Sequence, residues 1–276
     1  MMNLQGKGVV ITGSASGIGE ALALAAGKRG AKLLLADINA ERLHALRTTL
    51  RGQNVEVSVM RTDVAVREDI DDLAKRAQEL WGGADVVINN AGVSVMAPAL
   101  AMKESDARWL MDINFWGVWN GCRAFGPQLQ TRLAGVLVNM SSLFAWVSMP
   151  TQSIYNASKA AVRAYSDALR EELSDTSVRV LTVFPGGVKT AIARSARTGD
   201  ISLLAASKDD MVRSFEANAL TTPDEAAERI LRAVEDGRTT RLPIGKDAKW
   251  ADWLARLRPQ TAAARLMRRV KARRGR

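Results

Sequence analysis

The sequence predicts a doubly wound α/β fold, in which one parallel sheet of about seven strands carries helices on both faces. Short runs that are apolar throughout alternate with longer helix-compatible segments, and this alternation is typical of parallel strands covered on both sides. A glycine-rich stretch joins the first apolar run to the first helical segment. No internal repeat or low-complexity linker divides the 276 residues, of which 47% are hydrophobic. We therefore expect a single domain with one large core.

The strands are predicted where short apolar runs lie between helical segments, and right-handed crossovers would place them all in one sheet. The segment 67–83 indicates an amphipathic helix with acidic residues in its first turn and glycine at its end. Two longer helices are predicted over 105–130 and 151–174. The predicted strands are 7–13, 31–38, 55–64, 84–92, 135–142, 178–187 and a seventh, shorter one near 238–245.

Composition argues against several classes of protein. Cys122 is the single cysteine and His44 the single histidine, so an intrachain disulfide is impossible and no zinc constellation is visible. A hydrolase triad would have to use His44, which lies in a polar helical segment. The N-terminus lacks the apolar core of a signal peptide, and no apolar run approaches the ~20 residues of a membrane span. We expect a soluble, cytoplasmic protein without a metal site.

The net charge of +10 is concentrated at the C-terminus. The stretch 246–276 contains eleven Lys or Arg and two Asp, so the rest of the chain is nearly neutral. Nucleic-acid-binding proteins more often spread basic charge over a folded face, and we expect no nucleic-acid partner. The rival hypothesis, binding through the tail, predicts a strongly salt-dependent affinity for DNA.

The stretch TGSASGIGE (12–20) follows the first strand and opens the first helix. Gly13, Gly17 and Gly19 would permit a tight turn, close approach of the backbone to a pyrophosphate, and tight helix packing. The N-terminus of the helix would then offer unpaired N–H groups to the phosphates. A Rossmann-like dinucleotide site is indicated.

Asp37 ends the second predicted strand, 18 residues after Gly19. A carboxylate there could accept both ribose hydroxyls of an adenosine and would repel a 2′-phosphate. No Arg or Lys occupies 14–16 or directly follows Asp37. These observations favour NAD(H) over NADP(H), although Arg42 could weaken the preference. The alternative is that Asp37 simply caps the next helix.

Tyr155 lies four residues before Lys159 in a helical segment, so both side chains share one helix face. A cation beside a phenol favours the phenolate and would lower the pKa of the hydroxyl. The spacing alone is also common on solvated helix surfaces, so it identifies no site by itself.

Taken together, the motifs resemble those of the short-chain dehydrogenase/reductase family over roughly 6–245. Their order and spacing along the chain match the family pattern. The matching residues are TGSASGIG (12–19), NNAG (89–92), Asn114 in MDINFWG, Ser142 in VNMSS, YNASK (155–159) and PGGVKT (185–190).

The resemblance implies a catalytic set. Tyr155 would be the general acid in carbonyl reduction and the general base in alcohol oxidation, and Lys159 would lower its pKa and bind the nicotinamide ribose. Ser142 would hold the substrate oxygen, although it could instead only cap a loop. Asn114 would hold a water that connects Lys159 to solvent. It could also be a buried asparagine that binds backbone, and both roles are compatible.

The resemblance also implies a set of cofactor contacts. Asp63 and Val64 would flank the adenine, Asn90 would line the cleft, and Val188 and Thr190 would bind the carboxamide. The predicted cofactor-binding residues are Gly13, Ser16, Gly17, Ile18, Gly19, Asp37, Asp63, Val64, Asn90, Ala91, Gly92, Tyr155, Lys159, Pro185, Gly186, Val188 and Thr190.

We therefore predict an NAD(H)-dependent oxidoreductase that interconverts a secondary alcohol and a ketone. The family implies a homotetramer or homodimer built through the two long helices. Two alternatives stay open: an NADPH-dependent 3-oxoacyl-carrier reductase, and a dinucleotide-binding sensor without turnover. Residues 1–248 would form the catalytic domain, with a mobile substrate lid of one or two short helices at 190–222 that lacks a strand signal. Residues 249–276 would form a basic helical extension.

Apolar residues flank the expected reaction centre, which favours a hydrophobic or aromatic substrate. The alternative is that these side chains only pack the loops. They are Leu143, Phe144, Trp146 and Met149 after Ser142, and Val93, Val95 and Met96, with Ser94 among them, after NNAG.

The C-terminal extension contains two apolar stripes separated by Pro259. The first could dock on its own or a neighbouring subunit, the whole could contact an anionic membrane surface, or the end could be solvated. The first stripe is Trp250, Trp253, Leu254 and Leu257, and the second is Leu266, Met267 and Val270.

Overall fold

The protein, seen in a computed structural model that describes residues 2–199, 207–258 and 260–261, is built on a seven-stranded parallel sheet, as predicted. The strands of this sheet are β1 (Gly8–Thr12), β2 (Lys32–Asp37), β3 (Val57–Arg61), β4 (Val86–Asn89), β6 (Gly135–Met140), β7 (Val178–Pro185) and β9 (Arg241–Ile244), while β5 (Val95–Met96) and β8 (Arg197–Thr198) belong to a second sheet. Their order across the sheet is β3-β2-β1-β4-β6-β7-β9.

Helices cover both faces of this sheet. The helices are α1 (Gly17–Lys28), α2 (Ala40–Gly52), α3 (Arg67–Trp81), α4 (Glu104–Met111), α5 (Gly117–Gln130), α6 (Ser153–Glu172), α7 (Lys208–Asn218), α8 (Pro223–Asp236) and α9 (Lys246–Leu257). Alternate residues of each strand point to opposite faces. Val9 therefore lies in the core cluster that contains residues of α1, α2 and α8, while Val10 lies in the cluster that contains residues of α3, α5 and α6.

The strands are shorter than the sequence predicts, chiefly at their carboxyl ends. The run predicted over 84–92 is a strand only to Asn89, and that predicted over 135–142 ends at Met140. The residues beyond these ends leave the sheet as loops on one edge. In a doubly wound sheet ligands bind at this edge, so the shortening places the predicted site residues on loops.

The long helix predicted over 105–130 is interrupted. Between α4 and α5 the backbone forms a turn of π-helix over Asp112–Trp116. A π turn inserts extra backbone into a helix and is frequent at functional sites. It contains Asn114, which is also a predicted site residue because MDINFWG matches the family motif.

Within its described residues, the segment predicted as a lid contains one helix and one very short strand that the sequence did not predict. Strand β8 (Arg197–Thr198) pairs in parallel with β5 (Val95–Met96) to form a second, two-stranded sheet. Helix α7 packs Met211, Val212 and Phe215 against Met96, Ala193 and Ala196. Residues 200–206 of the predicted lid lie outside the described residues, and its mobility stays a prediction.

The C-terminal helix crosses the predicted boundary between the domain and its extension, because α9 begins at Lys246. Its buried stripe is Ala248, Ala251 and Leu254, which pack against Leu143 and Val147. Of the predicted stripe, Leu254 is buried within the chain, whereas Trp253 and Leu257 are each 58% exposed, and docking of the stripe on a neighbouring subunit stays a prediction. The second predicted stripe lies outside the described residues.

Candidate active site

The glycine-rich loop leaves β1 at Thr12 and turns into α1. Gly13 and Gly17 have φ of 62° and 55°, in the left-handed region that favours glycine. Ser16 is the N-cap of α1, yet its side chain makes no capping hydrogen bond. The first N–H groups of a helix have no partner within the helix, so this end of α1 can bind an anion.

The same glycines let three loops meet. A Cβ on Gly13 would lie 2.7 Å from Cα of Ala91, and one on Gly17 would lie 3.1 Å from Cγ2 of Thr190. A Cβ on Gly19 would collide with the carbonyl oxygen of Gly13. The backbone is therefore free of side chains at the positions where a pyrophosphate would approach, and the residues fit a dinucleotide.

Asn90 fastens the NNAG loop to the glycine loop. Its amide donates to the carbonyl oxygens of Thr12 and Gly13, both at 3.0 Å. The Thr12 hydroxyl oxygen accepts from the backbone N–H groups of Asn90 and Ala91. Sequence reasoning had assigned Thr12 no role beyond ending the strand, although a threonine here can accept from both N–H groups.

Asp37 ends β2 beside the glycine loop. One carboxylate oxygen accepts from the N–H of Ala15 and the other from the N–H of Asn39, both at 2.9 Å. Asn39 is the N-cap of α2, so Asp37 supports the start of that helix, as the alternative interpretation expected. It also contacts the glycine loop, which places its charge where the predicted ribose site would be.

Asp63 and Val64 lie at the turn after β3. Asp63 accepts from the N–H of Ala65 at 3.0 Å. Val64 is 7% exposed, and its carbonyl oxygen accepts from the amide of Asn120 at 3.1 Å. Both therefore have structural contacts, and their predicted contact with adenine stays a prediction.

Asn114 is completely buried in the π turn. Its side-chain oxygen accepts from the N–H of Val93 at 2.8 Å, and its amide donates to the carbonyl oxygen of Val93 at 3.0 Å and to the Ser158 hydroxyl at 3.2 Å. The backbone-binding role left open by the sequence is thus present. Asn114 also lies beside Gly92, whose added Cβ would be 3.3 Å from the Asn114 oxygen and 3.4 Å from Nζ of Lys159.

Ser142 lies beside Tyr155, near enough for its hydroxyl to lower the pKa of the Tyr155 hydroxyl. Ser142 follows β6 and accepts from the N–H of Phe144 at 3.2 Å. Tyr155 lies in the first turn of α6 and is half-buried. Burial raises the pKa of the Tyr155 hydroxyl to about 12, and the nearby Ser142 hydroxyl offsets this rise only in part.

Lys159 lies one turn further along α6 and is 4% exposed. Its ammonium donates to the carbonyl oxygen of Met140 at 2.9 Å and lies 5.8 Å from the Tyr155 ring centroid. Burial lowers the pKa of Lys159 to about 8. The net shift of the Tyr155 pKa in the chain alone is a rise, because burial of the phenol outweighs the effect of the Ser142 hydroxyl. That Lys159 lowers this pKa stays a prediction.

The 185–190 loop closes the site opposite the glycine loop. The N–H of Gly186 donates to the carbonyl oxygen of Ile244 at 2.9 Å, and the N–H of Gly187 donates to the carboxylate of Asp247 at 2.6 Å. Val188 is buried and bridges in parallel to Thr221. Sequence reasoning missed Asp247, because the contact joins residues that are 60 positions apart.

Two cavities border these residues. One of about 680 Å³ lies between α1 and the start of the lid and is lined by Gly17, Lys189 and Thr190 among others. A second, of about 560 Å³, is lined by three of the predicted substrate residues, Phe144, Trp146 and Met149, with part of α6.

The remaining predicted substrate residues pack elsewhere. Leu143 contacts α9, and Val95 is completely buried.

Among the residues that the structure describes, no group of three or more His, Cys, Asp or Glu could hold a metal ion. Within the same part of the chain, no helix has the length and apolar character needed to cross a bilayer.

Comparisons with known proteins identify the family. Residues 7–200 match the sequence profile of the family described as short chain dehydrogenase. A Mycobacterium tuberculosis protein that carries the name oxidoreductase SadH is 37% identical over 260 residues, which cover 93% of this chain and 92% of that protein. A Listeria monocytogenes protein named uncharacterized oxidoreductase Lmo0432 is 35% identical over 193 residues, or 69% of this chain and 78% of that protein. The chain belongs to the short-chain dehydrogenase/reductase family of oxidoreductases.

Solved structures show the same fold. A short-chain dehydrogenase/reductase from Burkholderia phymatum in complex with NAD has a TM-score of 0.84 and 29% identity, and the match covers 96% of this chain and 97% of that one. An alcohol dehydrogenase from Thermococcus sibiricus, complexed with 5-hydroxy-NADP, has a TM-score of 0.74 and 29% identity, with coverage of 86% and 95%. Structural neighbours of this chain therefore bind nucleotides of both the NAD and the NADP type.

Proposed function

We propose that this chain is an NAD(H)-dependent oxidoreductase that interconverts a hydrophobic or aromatic secondary alcohol and its ketone, with Tyr155 as general acid and base. The observation that carries the proposal is the meeting of three polar side chains. The Ser142 hydroxyl lies near enough to the Tyr155 hydroxyl to lower its pKa, and buried Lys159 follows one helical turn later with its ammonium 5.8 Å from the Tyr155 ring centroid. A sensor without turnover would not require this set of hydroxyl and ammonium groups on one face of the cleft.

The chain's own loops would hold the dinucleotide. The glycine loop and the N-terminus of α1 would bind the pyrophosphate, and the 185–190 loop would bind the nicotinamide carboxamide. Gly17 and Thr190 already bring these two loops within contact distance. This contact supports a dinucleotide bound between the two loops.

Asp37 supports a preference for NAD(H). Its carboxylate lies against the glycine loop, where a 2′-phosphate would meet a like charge. Both carboxylate oxygens already accept one N–H each, and each retains capacity for a further hydrogen bond from a ribose hydroxyl.

Tyr155 would transfer the proton. Because its pKa is raised to about 12, its hydroxyl is protonated at neutral pH and can donate to a carbonyl oxygen that gains negative charge during reduction. Ser142, which lies beside the same hydroxyl, would hold that oxygen. In oxidation Tyr155 would accept the proton, and protonated Lys159 would favour the phenolate. When bound, the dinucleotide supplies or accepts the hydride, and its oxidised ring adds a positive charge that favours the phenolate further.

The second cavity supports a hydrophobic or aromatic substrate. Phe144 forms part of its wall and also contacts the Tyr155 ring edge to face, with the centroids 6.2 Å apart. Trp146 and Met149 line the same space, and their apolar surfaces favour an apolar ligand body.

A homo-oligomer built through the long helices is part of the proposal. Trp116, at the end of the π turn, is 47% exposed, and it packs edge to face with Phe115 and Trp119. An exposed aromatic group on a helix surface is typical of an interface. Light scattering after size-exclusion chromatography would give the number of subunits, and a monomer at micromolar concentration would reject this part.

Activity is tested with a panel of hydrophobic and aromatic secondary alcohols and ketones, assayed by NADH and NADPH absorbance. We expect turnover with NAD(H), and about a 100-fold or greater loss of kcat in Tyr155→Phe. Tyr165→Phe, which changes the other tyrosine on the same helix, is the matched control and should keep activity. Turnover that survives in Tyr155→Phe would reject the proposed mechanism, and absence of turnover by the wild type would favour a sensor.

A further inference from the structure

Asp247 occupies an unusual position between the C-terminal helix and the proposed nicotinamide loop. It lies in the first turn of α9, and its carboxylate accepts from the N–H of Gly187 at 2.6 Å. This contact links α9 to a loop that follows β7, 60 residues earlier. The geometry therefore joins the last described helix to the candidate active site.

Two glycines make room for this carboxylate. A Cβ on Gly186 would collide with the Asp247 carboxylate, and so would a Cβ on Gly245. Gly245 is the N-cap of α9, has φ of 93° and supplies no side-chain cap. The backbone on both sides of Asp247 is thus bare of side chains, which lets the carboxylate approach the Gly187 N–H closely.

Helix α9 also contacts the other wall of the cleft. Ala248, Ala251 and Leu254 pack against Leu143 and Val147, in the segment that follows Ser142. One rigid helix therefore touches the loop after Ser142 through its apolar face and the 185–190 loop through Asp247. A shift of α9 would alter the distance between the two loops.

We propose that Asp247 is a positioning residue that holds the 185–190 loop in the conformation that binds the nicotinamide carboxamide. This inference rests on the proposed function. The carboxylate fixes the Gly187 N–H, and the neighbouring contacts of Gly186 with Ile244 and of Lys189 with Thr221 then fix the loop on either side. Without Asp247, the Gly187 N–H loses its partner and the loop gains other conformations.

The alternative is that Asp247 only stabilises α9. An acidic residue in the first turn interacts favourably with the positive end of the helix dipole. That role predicts a lower Tm for Asp247→Ala, without any change at the 185–190 loop. The two roles are therefore separable by measurements on the loop itself.

Hydrogen exchange of the full chain, followed by mass spectrometry, tests the contact without cofactor or substrate. In Asp247→Ala we expect exchange at the N–H groups of Gly187 and Lys189, which are bonded to Asp247 and Thr221 in the wild type, to be about 10-fold faster. Asp247→Asn keeps an acceptor oxygen in the same place, so it should restore most of the protection. Asp252→Asn is the matched control, because Asp252 lies on α9 and pairs with Arg256 at 2.8 Å.

Steady-state kinetics tests the consequence. We expect the KM for NAD to rise about 10-fold in Asp247→Ala and about 3-fold or less in Asp247→Asn, while Asp252→Asn stays at the wild-type value. Unchanged exchange and an unchanged KM in Asp247→Ala, with only a lower Tm, would overturn the inference and leave the proposed function intact. A wild type that binds no NAD would overturn both.

Discussion

Replacing Lys159 with methionine should change how stability depends on pH. Lys159 is 4% exposed, and burial lowers its pKa from 10.5 to about 8. Between these two values the unfolded chain binds a proton that the folded chain has released, so the free energy of unfolding of the wild type rises with pH. The cost of burying the charge is fully present below about pH 8 and has vanished above pH 10.5.

The size of this effect follows from the difference between the two pKa values. The full cost is roughly 3 kcal/mol. Of this, about 1 kcal/mol is relieved between pH 7 and pH 9. Methionine at 159 does not titrate, so a variant with Lys159→Met should lack this rise.

Urea unfolding at pH 7 and pH 9 measures the effect. The wild type should gain about 1 kcal/mol relative to Lys159→Met over this range. The comparison between the two proteins removes the contributions of titrating groups far from residue 159. Lys75→Met removes an exposed lysine from α3 and should follow the wild type. Parallel curves for the wild type and Lys159→Met would refute the conclusion that the ammonium is buried at a cost.

Two further predictions concern the dinucleotide. Gly19→Ala should reduce the affinity for NADH, measured by calorimetry, at least about 100-fold, because the new Cβ collides with the Gly13 carbonyl oxygen. The control is Gly52→Ala, where nothing lies within 4 Å of the new Cβ, and this variant should bind NADH normally. Equal affinities in both variants would contradict the assignment of the loop. Asp37→Ser should reduce the ratio of kcat/KM for NAD to kcat/KM for NADP by about 10-fold. The reason is that it removes a negative charge that would repel the 2′-phosphate of NADP. An unchanged ratio would show that Asp37 only supports α2.

The sequence predicted the fold well because its strands are buried on both faces. Val9 and Val10 pack on opposite sides of the sheet, so both positions must be apolar and the run is continuous. The same logic fails for β8, where two residues pair through backbone alone. Apolar periodicity also does not tell which apolar residues of α9 the chain itself buries, since the buried ones are Ala248, Ala251 and Leu254.

The site was predictable only where its motifs are local. The Tyr155 and Lys159 pair and the glycine loop are each contained in a short stretch of sequence, and their order among the other motifs indicates the site. The contact of Asp247 with Gly187 depends on how α9 returns to the sheet, and the raised pKa of Tyr155 depends on burial by distant segments. Neither property is encoded in a short stretch of sequence.

The central claim is that the Tyr155 hydroxyl transfers a proton beside a bound nicotinamide ring. A crystal structure of the protein with NADH and an unreactive ketone analogue tests it most directly. We predict that the hydroxyls of Ser142 and Tyr155 both lie within about 3.2 Å of the analogue's oxygen, on the side that faces the ring. A Tyr155 hydroxyl directed away from the nicotinamide, or a dinucleotide bound away from the glycine loop, would contradict the account.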